Sequence, residues 1–158
     1  MTHARVGLYF EDLVVGQEFS STFHTVEAVH IREFALLMGE TNPLHTDEDY
    51  ASTSHFRHLT ASGSFGLTLT ISLLEELELF HGTAIAALGI NDWRYEKPIT
   101  PGLRCQSRMT IQGLTPKPHS NSGLVLRHFD LVDHENTRLQ SGDAPLLVMT
   151  RRRTQLSS

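Results

Sequence analysis

The sequence predicts a single α+β domain in which an antiparallel sheet wraps around one long helix. Helical patterns lie in the first half of the chain, a long apolar run extends from Phe65 to Phe80, and strand patterns follow it. Helices early and strands late are typical of α+β domains. The chain has 158 residues, the size of one ordinary domain, so we assign residues 1–158 to a single domain.

Two helices are predicted before the long apolar run. Apolar residues recur at helical spacing from Glu27 to Met38, with Thr25 as a candidate N-cap and Gly39 as a candidate C-cap. A short helix is predicted further on, with Thr46 as its N-cap.

The apolar run from Phe65 to Phe80 predicts the long helix. It is apolar on nearly all sides until its acidic last turns, so we expect the sheet to enclose it. Strand patterns follow, and from Leu103 to Leu114 apolar and polar side chains alternate with the period of a half-buried strand. A loop is predicted from Glu135 to Gly142. The four predicted strand segments are residues 83–95, 103–114, 123–133 and 145–153.

Composition excludes several classes of partner. The chain has 13 Lys and Arg against 18 Asp and Glu, a net charge of −5 that offers no general attraction for nucleic acid or an anionic membrane. Acidic residues interrupt the longest apolar run, so no transmembrane span is predicted. Cys105 is the single cysteine, so no intramolecular disulfide can form, and no secretory signal pattern is present. We therefore expect a cytoplasmic protein.

The segment from Gly39 to His45 carries the strongest chemical signal. It places the carboxylate of Glu40 and the imidazole of His45 five positions apart, across a turn that Pro43 makes rigid. Such a pair suits acid/base chemistry on one bound water. The alternative interpretation is a plain helix exit, in which Gly39 is the C-cap, Glu40 is solvated and His45 is buried with a backbone partner.

A second signal lies where the long helix should begin. Ser62 is a candidate cap, and Gly63 follows it at the predicted first turn. Backbone N–H groups at a helix start are free and the helix dipole is positive there, which suits a developing oxyanion.

These residues resemble the MaoC-like dehydratase family, which includes the (R)-specific enoyl-CoA hydratases and has the hot-dog fold. Four ordered segments carry the resemblance along most of the chain, and Trp93-Arg94-Tyr95 with the prolines after it resembles the family's "RF..PV.PGD" turn. The chain departs from the family pattern at Glu40, where the family has aspartate, at Ser62, where it has histidine, and at Leu103, where it usually has aspartate. The other three matching segments are Tyr9 to Gln17, Asn42-Pro43-Leu44-His45, and Tyr50-Ala51.

The resemblance implies reversible hydration of a 2-enoyl-CoA, or dehydration of the matching (R)-3-hydroxyacyl-CoA. Glu40 and His45 would hold the water, and Gly63 would donate to the thioester oxygen, so these three are the candidate catalytic residues. Asn42 and Ser62 are the candidate substrate-site residues that support the loop and the helix start. Coenzyme A enters as part of the acyl-CoA substrate, no cofactor is expected, and the family pairs two copies, so we expect a homodimer.

Two other functions remain open on the sequence. A hot-dog thioesterase would use the same scaffold but needs a carboxylate aimed at the thioester carbon, and Glu75 and Glu76 come late on the long helix. A non-catalytic acyl-binding subunit would have kept the fold while Glu40 and Ser62 drifted. No metal site is predicted, because His55 and His58 lack a third ligand at a recognisable spacing.

Overall fold

The computed structural model describes residues 7–117 and 119–151. Three α-helices precede most of the strands, and none of the described helices is long and apolar enough to cross a membrane. The helices are α1 (Ala28–Leu37), α2 (Glu48–Thr53) and α3 (Gly63–Glu75), and the strands are β1 (Glu18–Ser20), β2 (His24–Thr25), β3 (Ala84–Ala87), β4 (Asn91–Tyr95), β5 (Arg104–Lys117), β6 (Ser122–Asp133), β7 (Arg138–Asp143) and β8 (Leu146–Met149). Short 3-10 turns lie at Phe10–Asp12 and Pro43–His45.

All eight strands form one antiparallel sheet, in which β5 and β6 make the longest pair. The main path through the sheet runs β1-β5-β6-β7-β4, while β2 pairs with β5 and β3 pairs with β8. Strand β8 joins the first half of β6, and β7 joins the second half. The predicted fold class, an α+β domain with an antiparallel sheet around a helix, is confirmed.

The sheet packs its inner face against α3. The alternation predicted for β5 is confirmed, because Cys105, Met109 and Ile111 are buried and the residues between them are more exposed, apart from the buried Ser107 on the same inner face. Leu74 of α3 packs in the same core as Met109, Ile111 and Phe129 of β6. Burial of this apolar area is the main stabilising contribution to the fold.

The long helix is shorter at its end than predicted. It ends at Glu75, and the chain continues through turns in which Glu78 has a φ of 50° and Gly82 a φ of 70°. Glutamates near a helix C-terminus face the negative end of the helix dipole, which disfavours a further turn. Leu79 and Phe80 still pack against the core, but from these turns.

Strand β7 was wrongly predicted as part of a loop. Residues 138–143 pair with both β6 and β4, so the strand lies inside the sheet. Its side chains Gln140 and Ser141 are polar and Gly142 has none, which is the composition of a turn. Pairing on both sides outweighed that local preference, as tertiary context often does.

Other predicted boundaries also shift. Residues 83–95 form two strands with an irregular join at Gly89, whose φ is 139°. The last strand is Leu146–Met149, while residues 152 and 153 of the predicted segment lie outside the described part of the chain. The assignment of residues 1–158 to a single domain stays a prediction.

Two predicted helix caps are wrong by one or two residues. Thr25 pairs with Arg104 in the sheet, so Glu27 takes the N-cap position of α1. Asp47, not Thr46, caps α2, because its side chain accepts a hydrogen bond from the Tyr50 N–H at 3.0 Å. The Asp47 side chain thus satisfies a backbone N–H at the start of α2, and at the start of α1 the Glu27 N–H donates to His30 Nδ1.

Candidate active site

The loop after α1 is built from local hydrogen bonds. Gly39 has a φ of 69°, the left-handed conformation that ends many helices, and the Glu40 N–H reaches back to the Ala35 carbonyl at 2.8 Å. Asn42 is extended, as a residue before proline should be, and its side chain accepts from the Leu44 N–H at 3.1 Å. The predicted non-helical turn before Pro43 is present.

Glu40 turns its carboxylate toward its own loop. One carboxylate oxygen accepts a hydrogen bond from the Asn42 N–H at 3.1 Å, and the residue is partly exposed. Among the described residues, no hydrogen bond joins the carboxylate directly to His45. The second carboxylate oxygen has no hydrogen-bond partner among the described residues.

His45 is tied to the segment that leads into α3. Its Nδ1 lies 2.5 Å from the carbonyl oxygen of Thr60, and the Thr60 N–H donates to the Leu44 carbonyl at 3.2 Å. A carbonyl oxygen only accepts, so Nδ1 is the protonated nitrogen and Nε2 is left with a free lone pair in the neutral ring. The backbone partner expected for a plain helix exit is thus present, although His45 is only partly buried.

The start of α3 follows Thr60 by three residues. Ser62 is the N-cap, as predicted, and its hydroxyl accepts from the Phe65 N–H at 3.4 Å and lies 3.0 Å from the Ser64 hydroxyl. The Ala61 N–H donates to the Ile99 carbonyl at 2.8 Å, which fixes this approach against the sheet side of the molecule. Within the described residues the Gly63 N–H has no hydrogen-bond partner, as expected for the first turn of a helix.

A cavity of about 380 Å³ opens beside this helix start. Glu40, Asn42 and His45 are absent from its lining among the described residues, although His45 contacts it through Thr60. The structure therefore links His45 to Thr60, in the segment before the helix start, and no contact given for the described residues joins Glu40 or Asn42 to that helix start. Its lining includes Phe56, Thr60, Gly63, Tyr95, Lys97 and Gln140.

Sequence reasoning missed two residues of this cavity. The ring of Tyr95 lies so close to Gly63 that a Cβ on Gly63 would come within 2.7 Å of it. Gln140 of β7 is only 3% exposed and donates to the Gly63 carbonyl at 3.4 Å. The Trp93-Arg94-Tyr95 segment offered a signal for the first residue, but Gln140 lay in a segment predicted as a loop.

The cysteine and the loop histidines that the sequence offered as further candidates do not line this cavity. Burial raises the pKa of the Cys105 thiol to about 11, so this cysteine stays protonated and unreactive, as its inward position predicted. His55 and His58 are exposed in the loop after α2. In the described parts of the chain, no three His, Cys, Asp or Glu residues are grouped to hold a metal ion.

Comparison with known proteins supports the resemblance. Residues 13–127 match the family model described as the MaoC like domain. The chain is 31% identical over 113 residues to an (R)-specific enoyl-CoA hydratase from Rhodospirillum rubrum, covering 69% of this chain and 73% of that protein.

Solved structures agree with this match. The MaoC-like dehydratase from Rhodospirillum rubrum is 31% identical, has a TM-score of 0.78, and is matched over 92% of this chain and 99% of that one. A Mycobacterium tuberculosis protein described as a double hot-dog fold has a TM-score of 0.80 at 18% identity, over 96% of this chain and 47% of that one. At that identity the second likeness shows the fold alone.

The antiparallel sheet packed around α3 defines a hot-dog fold. The chain belongs to the MaoC-like domain family. At the level of the family, its relatives named (R)-specific enoyl-CoA hydratase place it with hydratase-type enzymes.

Proposed function

We propose that this protein catalyses the reversible hydration of a 2-enoyl-CoA to an (R)-3-hydroxyacyl-CoA. The observation that carries the proposal is the hydrogen bond between His45 Nδ1 and the Thr60 carbonyl. It holds the imidazole of the loop at the approach to the Gly63 helix start, where a thioester oxygen would find a free N–H. Family membership supplies the substrate class.

The reaction divides between the two parts of the site. Glu40 takes a proton from the bound water as the water oxygen bonds to the β-carbon, and His45 orients that water by accepting a hydrogen bond at Nε2. The proton that Glu40 has taken then passes to the α-carbon. The electron pair of the double bond moves toward the carbonyl, and the enolate oxygen accepts from the Gly63 N–H. A water adds across a carbon–carbon double bond without any change in redox state, so we expect no redox cofactor.

Asn42 and Ser62 act on the residues beside them. Asn42 holds the loop through the hydrogen bond of its side chain with Leu44, and its own N–H holds the carboxylate of Glu40. Ser62 caps α3 and fixes the first turn, in which Gly63 lies. Both contacts keep reacting groups in place before the substrate arrives, which is what preorganised catalysis requires.

We also propose that the protein acts as a homodimer. In the described sheet, β3 pairs only with β8 and β4 only with β7, so the segment from Ala84 to Tyr95 has an unpaired side. Ile85, Leu88 and Ile90 are 48%, 49% and 41% exposed along it. Exposed strand edges with apolar side chains favour pairing with another copy. Light scattering at micromolar concentration should give twice the chain mass, and a stable monomer would contradict this.

The activity is tested with a short 2-enoyl-CoA and two simultaneous readouts. We expect loss of the conjugated double bond without release of free thiol. Release of thiol would instead indicate a thioesterase. A thioesterase needs a carboxylate near the thioester carbon, and Glu75 lies twelve residues after Gly63, about 18 Å along the helix axis. Binding of the acyl-CoA with neither change would indicate a non-catalytic acyl-binding subunit.

Binding of the coenzyme provides a separate check. Titration with coenzyme A should show affinity that falls as salt is added, because phosphate attraction is screened. Failure to bind any acyl-CoA would contradict both the hydratase and the thioesterase interpretations. A cytoplasmic location stays part of the proposal, and its support is the absence of a possible disulfide in a chain with one cysteine.

A further inference from the structure

The amide of Gln140 is buried beside the helix start. Gln140 is 3% exposed, and in the sheet it lies opposite Tyr95 of β4. A buried amide costs free energy unless both its ends have hydrogen-bond partners. Here the carbonyl oxygen accepts from the Trp93 indole N–H at 2.9 Å, and the amide nitrogen donates to the Gly63 carbonyl at 3.4 Å.

Trp93 decides which way the amide of Gln140 points. An indole nitrogen can only donate, so the amide oxygen must face it. Turning the amide over would bring two donors together at Trp93 and two acceptors together at Gly63. The side chain of Gln140 therefore has one favourable orientation, with its N–H directed at the first turn of α3.

Gly66 makes room for this contact. A Cβ at Gly66 would lie 2.0 Å from the amide nitrogen of Gln140 and 2.5 Å from its carbonyl carbon. A glycine inside a helix is destabilising relative to alanine. The close approach of Gln140 therefore explains why a glycine, Gly66, lies at the point where α3 meets the sheet.

We propose that Gln140, oriented by Trp93, is a positioning residue that fixes the direction of the Gly63 N–H. Resting on the proposed function, this inference concerns how the oxyanion donor is held. Gly63 has no side chain to restrict its backbone, and it lies at the first turn, where intrahelical bonds are fewest. The hydrogen bond to the Gly63 carbonyl holds the peptide plane between Gly63 and Ser64 against the sheet. It thereby limits rotation about the Gly63 backbone bonds and fixes the neighbouring peptide plane, which carries the Gly63 N–H.

The kinetic test compares three variants. Gln140→Met keeps the volume and removes the donor to Gly63, and Gln140→Met with Trp93→Phe also removes the indole N–H that would otherwise be left without an acceptor. Gln112→Met is the matched control, because Gln112 is an exposed glutamine of β5. We expect kcat to fall by about ten- to a hundredfold in both Gln140 variants, with KM changed little. The control should match the natural protein.

A second measurement does not depend on activity. The ¹⁵N order parameters of Gly63 and Ser64 should be near 0.85 in the natural protein and fall toward roughly 0.6 in both Gln140 variants. Unchanged order parameters and unchanged kcat would overturn the positioning role. Lower order parameters in a protein without hydratase activity would refute the proposed function and leave the role of Gln140 in holding the helix start intact.

Discussion

The two halves of the site are held in place by different kinds of contact. The loop that carries Glu40 and Asn42 is fixed by hydrogen bonds between residues two to five positions apart. Besides its Ser62 cap, the start of α3 is held by residues far along the chain. Gln140 donates to the Gly63 carbonyl, and the Tyr95 ring fills the space that a side chain on Gly63 would need. His45 joins the halves through its contact with Thr60.

This difference distinguishes residues that react from residues that position them. A substitution in the loop should change a reacting group and leave the helix start as it is. A substitution at the helix start should change its contact with the sheet, so its effect should depend on Tyr95 or Gln140. The predictions below use this contrast, and the strongest effects are expected in the loop.

The largest effect is expected when the charge of Glu40 is removed. Glu40→Gln keeps the size of the side chain and loses the base, so turnover should fall by roughly a hundred- to ten-thousandfold, and His45→Ala should fall similarly. Glu33→Gln is the matched control, an exposed glutamate on α1 that should retain full turnover. Steady-state rates with a short enoyl-CoA measure this. Near-normal rates in both site variants would place the chemistry elsewhere.

Shortening the same side chain should have the next largest effect. Glu40→Asp restores the residue of the family pattern but withdraws the carboxylate by about one carbon–carbon bond, and such a misplacement can cost on the order of a hundredfold. The same assay measures the change. A gain in rate would indicate that the loop still has the geometry of the aspartate enzymes and that Glu40 is a drifted residue.

At the helix start the expected loss is smaller and can be reversed. In Gly63→Ala the new Cβ would lie 2.7 to 2.9 Å from ring atoms of Tyr95, so either the ring or the first turn must move. We expect kcat/KM to fall by about ten- to a hundredfold. Adding Tyr95→Ala should recover much of the loss, and a double-mutant cycle measures this coupling. Purely additive losses would mean that the contact with Tyr95 is not the cause.

The same contrast explains what the sequence could predict. The rigid loop, the Ser62 cap and the alternation of β5 depend on neighbours within a few residues, so their patterns are visible in the chain. Gln140 gains its place from Trp93 and Gly63, which are 47 and 77 positions away, and nothing beside it in sequence signals a strand. The cap of α2 was wrong by one residue because Thr46 and Asp47 are both good caps.

The smallest effect is expected at the remote contact between the two ends of the described chain, and it tests whether losses at the site reflect overall stability. Hydrogen bonds from Arg151, and secondarily from the Tyr9 N–H, hold the pKa of Asp12 below its usual value. A carboxyl whose pKa is lower in the folded state stabilises the fold above its usual pKa and loses that contribution as pH falls through the lowered value. Asp12→Asn should therefore lower the urea midpoint slightly at neutral pH, and the difference from the natural protein should shrink on acidification to about pH 3.

Because Asp12 touches neither half of the site, the turnover of the Asp12→Asn variant should stay unchanged at neutral pH. A loss of turnover as large as that of Gly63→Ala would show that the helix start responds to stability in general, and the contrast between the two halves would fail.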